Sequence, residues 1–86
     1  MERYTIRSWW RGVNGRIGLI VADAEGVTYL FWGDVLQIRC NGPAASDRLD
    51  GLVARRATRL PALATGSYTL HELRYLVPCA GSTVLH

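Results

Sequence analysis

Three short runs of aromatic, β-branched and aliphatic side chains fill residues 3–32, each closed by a turn rich in glycine, asparagine or aspartate. Apolar runs of this length, punctuated by residues that tolerate positive φ, form hairpins; they are too short and too often broken for helices. Tyr4 to Arg11 alternates, with Tyr4, Ile6, Ser8 and Trp10 on one side and Thr5, Arg7, Trp9 and Arg11 on the other. Gly12, Asn14 and Gly15 supply the first turn. Ile17 to Ala22 is apolar throughout, as expected of a strand covered on both faces. Asp23-Ala24-Glu25-Gly26 is the next turn, and Val27 to Trp32 reads as a third strand broken by Gly33-Asp34. An antiparallel three-stranded meander over residues 3–32 follows.

The second half allows two readings. Residues 41–47 are a loop by composition. Beyond it, Leu49, Leu52, Val53, Ala57 and Leu60 lie near helical spacing, with Ser46 or Asp47 as N-cap and Pro61 as stop. Gly51 and Thr58 oppose a helix, so extended structure over residues 52–60 competes with it. Thr69-Leu70-His71-Glu72 matches a capping box, and Leu70, Leu73 and Val77 would share one face of a helix that Pro78 ends. Residues 1–78 thus read as one domain and 79–86 as a loose tail.

Composition narrows the function classes. The net charge of +3 permits a polyanionic partner without announcing one, and every basic side chain is arginine, the planar and stacking cation. Cys40 and Cys79 follow no signal peptide, which predicts free thiols in a cytoplasmic protein. No apolar run approaches the ~20 residues that span a bilayer, so no membrane partner is expected. Cys40, His71, Cys79 and His86 are spaced unlike any common zinc site. No metal or other cofactor is expected. Ser67 near His71 lacks a glycine elbow and an ordered third partner. Gly12, Gly15 and Gly18 lack the strand-to-helix setting of a phosphate loop, and Asp23, Glu25 and Asp34 sit in turns where carboxylates cap backbone groups. An enzyme is not expected.

The order of motifs resembles the cold-shock domain, a five-stranded oligonucleotide-binding barrel. Trp10 stands where the family tryptophan falls once Gly18 is matched to the second glycine of the family's second-strand motif. Ile17-Gly18-Leu19-Ile20 is then similar to F-G-F-I, and Thr28-Tyr29-Leu30-Phe31-Trp32 to V-F-V-H-F. The likeness covers residues 8–35, with Gly51-Leu52-Val53 as a weaker match to the start of a fourth strand. Ile17 and Leu19 replace stacking phenylalanines, Phe31 replaces the family histidine, Gly12 an asparagine and Ser8 a core valine.

The resemblance implies an all-β fold, a small five-stranded antiparallel barrel; the residue pattern alone leaves open an α+β alternative, the meander followed by one or two helices. It also implies a non-catalytic module binding single-stranded RNA or DNA with low sequence preference. Bases would stack on an open face carrying Trp10, Ile17, Leu19, Tyr29, Phe31 and Trp32, with Arg11 and Arg16 holding phosphates. Such a face is more apolar than a usual stacking surface. Two alternatives therefore stand beside it: a small regulatory protein using the face to bind a protein partner or itself as a homodimer, and a buried core covered by residues 69–77.

Overall fold

β1 (Arg3–Gly12) is the spine of the molecule, bonded along one edge to β2 (Ile17–Ala22) and along the other to β5 (Ala57–Leu60) and β6 (Ser67–Thr69). β3 (Thr28–Trp32) and β4 (Val35–Cys40) extend the sheet beyond β2, in the order β4-β3-β2-β1-β5 with β6 beside β1, all antiparallel. Helix α1 (Ala45–Val53) packs on one face of the sheet, and α2 (Leu70–Val84) on the other. The computed structural model describes the backbone of residues 1–84 and the side chains of residues 1–77. None of its helices is long and apolar enough to cross a membrane.

The meander forms as its turns and alternation dictate, but the sheet does not close. β4 and β5 are opposite edges with no ladder between them, so the fold is a six-stranded open sheet with two helices rather than a five-stranded barrel. β2 explains why. All six of its residues are buried, and a strand apolar on both faces needs cover on both. Ile17, Leu19 and Val21 meet Tyr4, Trp9, Phe31 and Leu73 beneath α2. Ile20 meets Trp10, Leu30, Leu49 and Val53 beneath α1.

A bulge in β1 corrects the simple alternation. The register with β2 shifts between Ile6 and Ser8, leaving Arg7 as the extra residue. Tyr4, Ile6 and Trp9 therefore share the α2 side, while Ser8 and Trp10 take the α1 side. Two consecutive tryptophans are accommodated by sending one into each core.

Both readings of residues 49–60 are partly realised. α1 ends at Val53, a turn through Ala54, Arg55 and Arg56 follows, and Ala57 to Leu60 is strand. The buried stripe of α1 is Ala45, Leu49 and Val53, one residue per turn. Its N-cap is Ala44, which offers no side-chain oxygen, rather than Ser46 or Asp47. The capping box at α2 forms as read: the Thr69 N–H donates to Glu72 Oε1 at 2.8 Å and the Glu72 N–H to Thr69 Oγ1 at 3.2 Å. That backbone hydrogen bond, helped by the Thr69 hydroxyl and Arg3, outweighs burial and holds the Glu72 carboxyl below the usual range. Leu70, Leu73, Leu76 and Val77 anchor the helix to the sheet. It does not stop at Pro78; residues 79–84, expected as a loose tail, continue it. Proline removes one hydrogen bond, to the Arg74 carbonyl, and the following turns make their own. Leu85 and His86 lie outside the described residues.

Candidate binding groove

Both ends of the sheet carry charge of both signs. The turn after β1, the turn after β3 and the connection after α1 meet at one end, which carries Arg11, Arg16, Arg55 and Arg56 together with Asp34. The other end carries Glu2, Arg3 and Arg39 and the β2–β3 turn with Asp23 and Glu25. In that turn Asp23 Oδ1 accepts the N–H groups of Glu25 and Val27, each at 2.9 Å, and Oδ2 accepts the Tyr29 hydroxyl at 2.9 Å. Burial works to raise the Asp23 pKa, but these hydrogen bonds outweigh it and leave the carboxyl below its ordinary range. The same bond holds the Tyr29 hydroxyl above the usual tyrosine range, with burial adding to it and Arg39 opposing.

The residues expected to form one open face are divided between two covered ones. Ile17, Leu19 and Phe31 lie beneath α2 and Trp10 beneath α1, each 4% exposed or less. Tyr29, also on the α2 side, is half-buried, edge-on to Tyr4 with ring centroids 5.8 Å apart. Trp10 is tied into a polar chain: its Nε1–H donates to Ser8 Oγ at 2.8 Å, and the Ser8 hydroxyl donates to Asp50 Oδ1 at 2.8 Å. Arg59 lies over the Trp10 ring at 5.7 Å and pairs with Asp50 at 3.4 Å. These four rings and aliphatic side chains are core. The physical reason is that each face of the sheet has a helix to bury it, which leaves no bare barrel wall for bases.

Trp32 is the exception. Its indole lies flat across β2 because Gly18, its cross-strand neighbour, has no side chain: a Cβ there would sit 1.8 Å from the ring. The ring reaches on to β1, where a Cβ on Gly12 would lie 2.8 Å from it. Half-buried, Trp32 lines an open groove of about 430 Å³ between the β1–β2 turn, β4 and the C-terminal part of α1. Val13, Ile38 and Leu52 wall it, at 98%, 41% and 53% exposure. Leu30 and Val53 extend the lining, and Asn14 and Gln37 add polar groups. Gln37 is itself committed, its side-chain amide donating to the Trp32 carbonyl at 2.8 Å.

A second depression adjoins the first at the end of the sheet, sharing Gly12, Val13, Arg56 and Ala57 and adding Arg11 and Arg55. Arg11 is thus beside the groove, whereas Arg16 turns away toward Gly33 and the α2 side. The ion pairs of the described residues are Arg3–Glu72, Arg59–Asp50 and Arg74–Asp34; Arg11, Arg55 and Arg56 are among the seven arginines without a described carboxylate within 4.0 Å.

Of the eight expected site residues, Trp32 lines this groove and Arg11 the depression beside it. Val13, Ile38 and Leu52 were not singled out for binding. Val13 had a legible signal, an apolar residue inside a turn otherwise made of glycine and asparagine. Leu52 lies one position off the buried stripe of α1, and helical spacing alone groups it with Leu49 and Val53. Among the described residues no three His, Cys, Asp or Glu side chains gather as metal ligands. Cys40 is a free thiol contacted by Arg48 at 3.1 Å; the side chain of Cys79 and all of His86 lie outside the described residues. No protein-family model, curated protein or solved structure matches the chain.

Proposed function

We propose that this chain is a small non-catalytic binding module that holds a protein partner in the groove over Trp32. The observation that carries the reading is the wall of Val13, Ile38 and Leu52, apolar side chains left in water around a half-buried tryptophan when Trp10, the other ring of that cluster, is covered. At roughly 25 cal/mol per Å² of apolar surface, covering such a patch contributes useful affinity only if the occupant is itself apolar. An aromatic floor ringed by aliphatic side chains is the composition of an interface hot spot.

Single-stranded nucleic acid is the second reading, favoured by one observation: Arg11, Arg55 and Arg56 stand beside the groove without carboxylate partners. One available ring supports it less well than a strip of them, since each stacked base contributes about 1–3 kcal/mol. A photocrosslinking residue at Leu52 separates the two in cells. The protein reading expects ultraviolet-dependent adducts that protease removes and nuclease leaves intact, and that disappear in Trp32→Ala. Nuclease-sensitive adducts, or none, would overturn it. An adduct of doubled mass containing this chain alone would make the partner a second copy.

A further inference from the structure

The charge around the groove restricts its occupant. Among the described residues, no aspartate or glutamate lines either depression. Asp34 is held by Arg74, Asp50 by Ser8 and Arg59, and Glu72 by Arg3 and Thr69. Asp23 is spent in its turn at the far end of the sheet. The C-terminus of α1 offers the nearby guanidinium groups a partial charge of about −0.5, far short of what Arg11, Arg55 and Arg56 carry together. An excess of positive charge therefore adjoins a floor and walls that are apolar.

We infer that the groove takes an acidic segment of a partner protein studded with bulky apolar side chains, leucine or phenylalanine in the groove over Trp32 and carboxylates on Arg11, Arg55 and Arg56. This rests on the protein-contact reading above. The two depressions lie side by side, with Gly12, Val13, Arg56 and Ala57 lining both, so one short segment reaches both. The aliphatic walls suit side chains better than bases, which gain most from a second ring above them.

Trp9 and Trp10 are buried in the two cores, so a ligand-dependent change in tryptophan fluorescence reports Trp32, and Trp32→Phe is the control. The protein is titrated with a short peptide alternating glutamate with leucine and phenylalanine, with its glutamine and lysine counterparts, and with heptathymidylate. The glutamate peptide is expected to saturate and to weaken with salt. It should bind roughly tenfold less tightly, about 1.4 kcal/mol, to the Arg55→Ala/Arg56→Ala double variant. Leu52→Asp, a change at an exposed position, should abolish binding of the same peptide. Equal affinity for the glutamine peptide would overturn the acidic preference and leave the protein-contact groove standing. So would failure of every peptide while protein adducts still form at position 52. Saturation by heptathymidylate alone, with no protein adducts, would overturn the protein-contact reading itself.

Discussion

Replacing Gly18 by alanine tests the contact that makes the groove floor. The added Cβ would lie 1.8 Å from Cε3 and 2.2 Å from Cζ3 of Trp32. Carbon atoms pack at about 3.5–4.0 Å, so the indole must move by roughly 2 Å. Trp32 is only half-buried, and the ring has a route toward solvent through the open groove. The cost should therefore fall in the ordinary overpacking range of about 1–3 kcal/mol and stop short of unfolding the protein. Urea unfolding followed by far-ultraviolet circular dichroism reads it as a lower midpoint at unchanged slope. In a Trp32→Ala background the obstacle is gone. There Gly18→Ala should be neutral or stabilising by about 0.4–1 kcal/mol, because Gly18 is not among the positive-φ glycines and alanine restricts the unfolded chain. The coupling between the two changes is then at least ~1 kcal/mol. An equal penalty in both backgrounds would refute the reasoning, since something other than the indole would be forbidding a side chain at position 18.

Two further outcomes follow from packing and ionisation. Leu73→Ala empties a fully buried site between α2 and β2 and should cost about 2–5 kcal/mol, read as loss of thermal stability; a cost under ~1 kcal/mol would mean that α2 is not docked by this side chain. Asp23, whose folded pKa is depressed, contributes stability that is present above its unfolded pKa and lost as pH falls through the folded value. Tyr29, whose folded pKa is raised, contributes stability present below its unfolded pKa and lost as pH rises through the folded value. Tyr29→Phe should therefore flatten the stability profile at its alkaline limit and also weaken the acid dependence of Asp23; an unchanged profile at both limits would remove the pair as the cause.

The meander was legible because turn chemistry and alternation agree from Tyr4 to Trp32, and the capping box was legible because Thr69 and Glu72 stand at the one spacing that lets them exchange hydrogen bonds. The site was much less so. Ser8, Trp9 and Trp10 change sides through the bulge at Arg7, and no local residue preference marks that bulge. The unbroken apolar run of β2 already asked for cover on both faces, which a strand with one wall open to bases would not have. Leu36, Ile38 and Cys40 alternate with Gln37 and Arg39, but the register shift beside Gln37 pairs Leu36 with Phe31 and Ile38 with Leu30, on opposite faces; the Gly33-Asp34 turn, with φ of 59° and 82°, folds them back onto β3. Which side of α1 faced water depended on where its stripe began, and Ala45 and Val53 set that stripe only once the sheet was in place.

β1 carries a consequence for how the molecule assembles. Its ladder to β2 closes across a short turn, but its other edge waits for residues far downstream: Arg3 meets Ser67, 64 residues away in the chain. During synthesis the nascent hairpin emerges with an unpaired, aromatic-rich border and stays in that condition until β5, β6 and the first turns of α2 have left the ribosome. Non-local closure of this kind slows folding and leaves a sticky edge in the meantime. The interval between making the centre of the sheet and sealing it, rather than the stability of the finished fold, is where this chain is most exposed to aggregation.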